Sequence, residues 1–288
     1  MALNKDVFRI RTISALIFAV VMVAAITWSP WTFLLLFAVI HWGCWVEYLR
    51  LLEKIYQTAF DFLVKAGFIL TGFGWYFYFC GPHFQVNGYA LKQLLGFPMM
   101  LAGFLVLAIG ILRHGSPLNT KALGSAAMGL VYISLSWGLL LALRQDAGLH
   151  HATTPVAGWV YPMFLVASIW INDTMAYIVG SMVGKTPLTR ISPKKTWEGT
   201  LGGIILAVGL MTAAAYYFEI PLTIGIGLAV IGAVVGTFGD LLESWLKRLA
   251  GVKDSGNMMP GHGGFLDRFD SLLLASPVAW GWVALMGL

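Results

Sequence analysis

The sequence is poor in charge. Asp, Glu, Lys and Arg make up 11% of its 288 residues, where a soluble domain carries about 25%. That shortage excludes a soluble enzyme, and a hydrophobic content of 59% excludes a disordered or fibrous chain. Cysteine is equally scarce. Cys44 and Cys80 both lie in apolar stretches, so neither a disulfide framework nor a cysteine-based zinc site is available. The chain also lacks internal repeats and low-complexity tracts, which argues against an inverted-repeat transporter. What fills it instead is a series of apolar runs close to the ~20 residues that a bilayer demands.

Nine such runs, roughly 12–29, 31–46, 62–80, 94–112, 122–143, 159–183, 200–218, 222–239 and 269–286, predict an all-α polytopic integral membrane protein with about nine transmembrane helices. Lys5, Arg9 and Arg11 precede the first run as in a signal peptide. However, Ile26-Thr27-Trp28 offers no small-x-small cleavage site, so the run is expected to remain as the first helix. Of the 18 Lys and Arg residues, sixteen fall on one alternating set of termini and loops, and only Lys92 and Arg144 on the other. This bias places the N-terminus and the basic loops in the cytoplasm. The net charge of +5 is then a topology signal, and no nucleic-acid partner is expected.

Polar content divides the chain into three parts. Residues 1–120 read as packing and anchoring helices, and 121–160 as a middle helix with an outer loop. Residues 161–288 read as a catalytic bundle with cytoplasmic loops 184–199 and 240–268. His41, Trp42 and Glu47, near the end of the second run, read as interfacial anchors. His150-His151 falls on the outer side, away from the other polar groups.

The stretch Ser244–Asp270 gathers Lys247, Arg248, Lys253 and Arg268 with Asp254, Asp267 and Asp270. Asp267 and Asp270 are three residues apart, so on a helix they share a face and can share a cation. Asp240, Glu243, Ser244 and Lys247 fall on one helical face just before. Gly261-His262-Gly263-Gly264 allows backbone N–H groups to approach a phosphate. Aspartate oxygens amid cationic side chains suit an Mg²⁺-bound polyphosphate. A solvated, salt-bridged loop is the plain alternative, and His262 is open between phosphate donor, proton relay and loop residue. Asp173, inside the sixth run, needs either a cavity or a partner helix to offset its burial. Ser192-Pro193 reads as an N-cap followed by proline at the first helical position, a helix start that would aim Lys194 and Lys195 at an anion.

Ser244-x-x-Lys247-Arg248, Lys253-Asp254, Pro260-x-His262-Gly263-Gly264 and Asp267-Arg268-x-Asp270 together resemble the signature of the phosphatidate cytidylyltransferases. Ser192–Gly199, and Asp173 with Ala176, Tyr177 and Gly180, resemble upstream segments of that family, so the likeness covers about residues 168–271. Met259 and Met175 depart from the usual pattern, both at apolar packing positions. The resemblance implies transfer of CMP from CTP to phosphatidate, giving CDP-diacylglycerol and pyrophosphate. It also implies an active site at the cytoplasmic face of the C-terminal bundle, in a plasma membrane (a bacterial inner membrane). Membrane lipids are the surroundings, and a compact bundle is compatible with a homodimer.

On that resemblance, Asp240, Asp267, Asp270 and Asp173 are the expected metal ligands, for Mg²⁺ and room for a second cation. Asp240, Asp267, Asp270, Lys247, Arg268 and His262 are the expected catalytic residues. Lys194, Lys195, Ser192, Arg248, Lys253, Gly263 and Gly264 are expected to bind the CTP and lipid phosphates. The rival class is an ion-coupled transporter using Asp173 and the same acidic and basic cluster. A CDP-alcohol phosphotransferase would need an Asp-Gly-x-x-Ala-Arg core, and the chain has none.

Overall fold

The computed structural model of the chain describes residues 5–82, 84–113, 119–146, 157–257 and 263–286. Among them the long helices are α1 (Lys5–Trp28), α2 (Pro30–Tyr56), α3 (Phe62–Phe79), α4 (Lys92–Arg113) and α5 (Thr120–Arg144). They are followed by α6 (Val160–Val183), α7 (Trp197–Tyr217), α8 (Leu222–Leu249) and α9 (Leu266–Met286). Eight of these, α2 to α9, are long and apolar enough to cross a membrane, and the apolar part of α1, Thr12–Trp28, is shorter. The protein is thus an all-α polytopic membrane protein.

Helix boundaries follow local chemistry. Ser29 caps α2 by accepting from Trp31 N–H while Thr32 reaches back to the Ser29 N–H, and Pro30 occupies the first turn, where its missing N–H costs nothing. Asp61 and Asn119 cap α3 and α5 by accepting backbone N–H groups of the first turn. The one hairpin among the described residues joins Gln85–Val86 to Tyr89–Ala90. Its turn is Asn87-Gly88, both with positive φ, as a tight two-residue hairpin requires.

The chain forms two compact units. One comprises Met1–Leu135 with Leu249–Phe269, and the other Ser136–Arg248 with Asp270–Leu288. Residues 249–257 and 263–269, read from the sequence together with the C-terminal bundle, therefore group with the N-terminal helices.

Within the first unit, α3 runs against α4 at glycines spaced by seven: Gly67 and Gly74 on one helix, Gly103 and Gly110 on the other. A Cβ at Gly67 would lie 2.6 Å from Leu107 N, and one at Gly110 would lie 2.9 Å from Val64 N. Helices in lipid gain little from hydrophobic burial, so close backbone approach at small residues supplies the packing. A buried polar knot adds specificity: Ser134 Oγ lies 2.9 Å from both Trp45 Nε1, which donates to it, and His41 Nε2. In the second unit α6 packs along α7 in the same style, with Gly199 and Gly203 of α7 against the backbone and Cβ of Ala176.

Gly67→Ala drives its new methyl into the α4 backbone, which cannot yield as a side chain would. We expect a loss of about 1–3 kcal/mol, read as a lower Tm in detergent. Gly124→Ala, where a Cβ meets nothing within 4 Å, should leave Tm unchanged or raise it.

Candidate active site

Two polar centres stand out, one in each unit. In the second unit, the last turns of α8 carry Asp240, Glu243, Ser244 and Lys247 along one face, as their i, i+3, i+4 and i+7 spacing dictates. Gly239 has no side chain, and the backbone of α9 fills the space. A Cβ there would lie 2.5 Å from the Asp270 carbonyl oxygen and 2.9 Å from Ser271 Cα. That approach brings one ligand oxygen from each of Asp240, Glu243 and Asp270 within 4.8 Å of the others. Glu243 is fully buried and Asp270 nearly so.

Cations are arranged around the acids. Lys195 Nζ pairs with Asp240 Oδ2, and Lys247 Nζ pairs with Glu243 Oε2. Ser271 N–H donates to Asp270 Oδ1 at 2.6 Å. Asp173 on α6 lies within electrostatic reach of Lys195 and Asp270. Beside it, buried Asn172 donates to Thr237 Oγ1 at 3.4 Å. Burial pulls the Lys195 ammonium below the ordinary lysine value, while Asp173 and Asp270 act in the opposite direction.

The loop that delivers Lys195 is built around Glu198. The Glu198 carboxylate accepts from Lys185 N–H, Thr186 N–H and, at 2.8 Å, the Thr186 hydroxyl. Leu188 N–H donates to Lys195 O, and Pro187 bridges Thr196 in antiparallel fashion. Here the sequence reading needs correction. Helix α7 starts at Trp197 with Thr196 as its N-cap, accepting from Gly199 N–H, and not at Ser192-Pro193. The bridge and the Leu188 bond hold residues 195–196 extended, so helical dihedrals cannot begin earlier. Lys194 and Lys195 precede the helix rather than occupying its first turn. Lys194 is exposed, Lys195 and Ser192 are half-buried, and Arg248 reaches the Ile191 carbonyl at 3.4 Å.

In the first unit, Asp267 Oδ2 accepts from Ser255 N–H (2.8 Å) and Gly264 N–H (2.8 Å), and Ser255 Oγ lies 2.9 Å from it. Gly263 has φ of +83° beside that carboxylate, a left-handed backbone that glycine adopts without strain. Lys253 and Arg268 are exposed. His262 and Met259 lie outside the described residues.

Two functional candidates escaped the sequence reading. Glu243 was noted on the Asp240 face but not among the ligands, although the i, i+3 spacing was the signal. Glu47, expected to be an interfacial anchor, is instead 5% exposed and hydrogen-bonded to Ser255, Phe265 and Leu266. His41 is likewise buried rather than interfacial, while Trp42 is exposed as expected.

Three hard oxygen donors in one cluster, with lysines on two of them, can hold a small divalent cation and oppose a polyphosphate. A family profile fits this chemistry: residues 9–286 match the cytidylyltransferase family. The chain belongs to that family. Among its relatives is the phosphatidate cytidylyltransferase of Staphylococcus saprophyticus, 37% identical over 199 residues, which covers 67% of this chain and 69% of the relative. The Staphylococcus aureus protein of the same name is 35% identical over 204 residues, covering 69% and 70% respectively. Phosphatidate cytidylyltransferase 4 of Arabidopsis thaliana, a chloroplastic protein, is 34% identical over 202 residues. That match covers 63% of this chain and about half, 51%, of the plant protein.

Glu198→Ala removes the acceptor for three donors of the loop. We expect faster tryptic cleavage after Lys185, Arg190 and Lys194 than in wild type, with a smaller rise for Glu198→Gln, which keeps one acceptor oxygen.

Proposed function

We infer that the protein is a phosphatidate cytidylyltransferase, transferring CMP from CTP to phosphatidate to give CDP-diacylglycerol and pyrophosphate. The observation that carries this reading is the convergence of Asp240, Glu243 and Asp270, with Lys195 on the first of them, in a member of the cytidylyltransferase family. A phosphate-monoester oxygen of the lipid attacks the α-phosphorus of CTP. One P–O bond forms there as the bond to the β-phosphate bridging oxygen breaks, and pyrophosphate leaves with that electron pair. The monoester has a second pKa near 6, so it is already largely ionised at neutral pH. No strong general base is needed, and catalysis reduces to positioning and charge neutralisation.

The donor set fits a hard divalent cation, Mg²⁺ before others: all three candidate ligands are carboxylate oxygens, and no sulfur or imidazole is among them. Asp240, Glu243 and Asp270 would hold it, with Asp173 close enough to orient them electrostatically. Bound there, Mg²⁺ would neutralise phosphate charge and stabilise the leaving pyrophosphate. Lys195 and Lys247 keep the acids in place and add positive charge beside them. Lys194, Arg248, Lys253 and Arg268 remain the candidates for further phosphate contacts. CTP is water-soluble and cytoplasmic whereas the acyl chains lie in the bilayer. The basic loops accordingly sit at the cytoplasmic boundary, the orientation that the charge asymmetry supports.

The test uses purified protein in detergent with phosphatidate, Mg²⁺ and radiolabelled CTP, and follows label into the lipid phase. Label should appear and should vanish with EDTA. Asp270→Asn and Glu243→Gln should each cost on the order of 10²-fold in kcat. Label that persists undiminished in EDTA would overturn the metal assignment, and its absence from wild type would overturn the reaction. Lys195→Ala should cost more activity than Lys194→Ala, because Lys195 pairs with Asp240 whereas Lys194 is exposed.

A further inference from the structure

Glu47 is a buried carboxylate to which the reaction above gives no part. It lies in the second half of α2, 5% exposed, among buried Cys44, Trp45, Tyr48 and Leu51. Its Oε2 accepts the Ser255 hydroxyl at 2.7 Å and Leu266 N–H at 2.9 Å, and its Oε1 accepts Phe265 N–H at 2.9 Å. Two of the three donors are backbone groups at the entry to α9, where the helix itself provides no acceptor. The third, Ser255, also contacts Asp267 Oδ2. One carboxylate therefore ties both flanks of the signature segment, residue 255 on one side and residues 265 and 266 on the other. Every group in this arrangement belongs to the first unit.

Two glycines of the segment are shaped to this carboxylate. A Cβ on Gly256 or on Gly264 would overlap the Glu47 side chain, and at Gly264 it would overlap both carboxylate oxygens. Both oxygens of the carboxylate serve as acceptors. A glutamine has one acceptor oxygen and would turn its own NH₂ toward a backbone N–H, leaving donors opposed. The glycines, the serine and the first turn of α9 thus all converge on a residue more than 200 positions earlier in the chain.

We propose that Glu47 is a positioning residue for nucleotidyl transfer: it fixes Ser255 and the first turn of α9, and with them the adjoining exposed cations Lys253 and Arg268 that are the segment's candidates for substrate phosphate. The role rests on the phosphatidate cytidylyltransferase reading. Groups held in place beforehand need no ordering when the substrate arrives, and loosening them returns that entropic cost to binding and to the transition state.

The experiment measures kcat and KM for CTP and for phosphatidate with the full chain in detergent, for wild type, Glu47→Gln, Glu47→Asp and Ser255→Ala. Size-exclusion profiles report the folded fraction. Glu47→Gln is expected to raise KM for at least one substrate on the order of tenfold and to lower kcat. Glu47→Asp should recover part of both. Ser255→Ala, which removes one of three donors, should shift the same KM less and add little on top of Glu47→Gln. A merely structural tether would reduce the folded fraction and kcat while leaving both KM values alone, and that result overturns the role. So does a set of constants within about twofold of wild type. If Glu47→Gln does not accumulate folded, the KM shifts of Glu47→Asp and Ser255→Ala decide, and their absence overturns the proposal. A wild type that transfers no label defeats the functional reading itself, an outcome seen before any variant is measured.

Discussion

The second unit is organised by electrostatic repulsion that must be offset. Three carboxylates with ligand oxygens within 4.8 Å of one another repel by roughly 3 kcal/mol or more per pair at an effective dielectric of about 20. In an apolar chain that repulsion is tolerable only if counter-charges sit beside it. Lys195 on Asp240 and Lys247 on Glu243 meet part of the requirement. With Asp173 included, four carboxylates face two ammonium groups. The rest of the unit serves this balance. The Glu198-centred loop exists to bring Lys195 in, and the missing side chain at Gly239 lets α9 bring Asp270 in.

Packing in both units obeys the same logic. Lipid offers helices little hydrophobic reward for associating, so contacts depend on dispersion between closely approaching backbones. Glycine is the residue that permits such approach, and 33 of the 288 residues are glycine. Gly67, Gly74, Gly103 and Gly110 serve the α3–α4 contact alone, where no chemistry is proposed. Gly239 uses the same device to serve a site. A glycine count therefore does not locate function in such a chain; which backbone fills the vacated space does.

Much of this was legible in the residue pattern. Apolar runs marked the helices because the bilayer imposes their length, and the i, i+3, i+4 and i+7 spacing of Asp240, Glu243, Ser244 and Lys247 marked the helical face that they share. The N-terminal boundary of α7 was not legible. Ser192-Pro193 is a sound local start signal, but Thr196 is one too, and a non-local strand-like bridge from Pro187 decided between them. Glu47 was illegible for a related reason: its three partners lie near residues 255–266, and nothing local distinguishes a buried acceptor from an acid at a helix end. Sequence spacing reports neighbours along a helix and is silent about distant donors.

The pair Asp267 and Asp270 shows how far spacing alone can carry an argument. Three residues apart on one helix, they share a face, and a shared cation is the simplest reading of that fact. Yet Oδ2 of Asp267 receives Ser255 N–H and Gly264 N–H, both from the segment leading into the helix, whereas Asp270 supplies an oxygen to the cluster with Asp240 and Glu243. One acid of the motif folds the segment back on itself, and the other joins the acids of α8. This division gives Ser255 and the glycines of the segment a part beside its charges. A carboxylate at a loop–helix junction needs donors to hold it, and residues with a hydroxyl or no side chain supply or expose them at the shortest range. Losing Asp267 and losing Asp270 are therefore different injuries: the first releases the donors that shape the segment, and the second removes charge from the cluster.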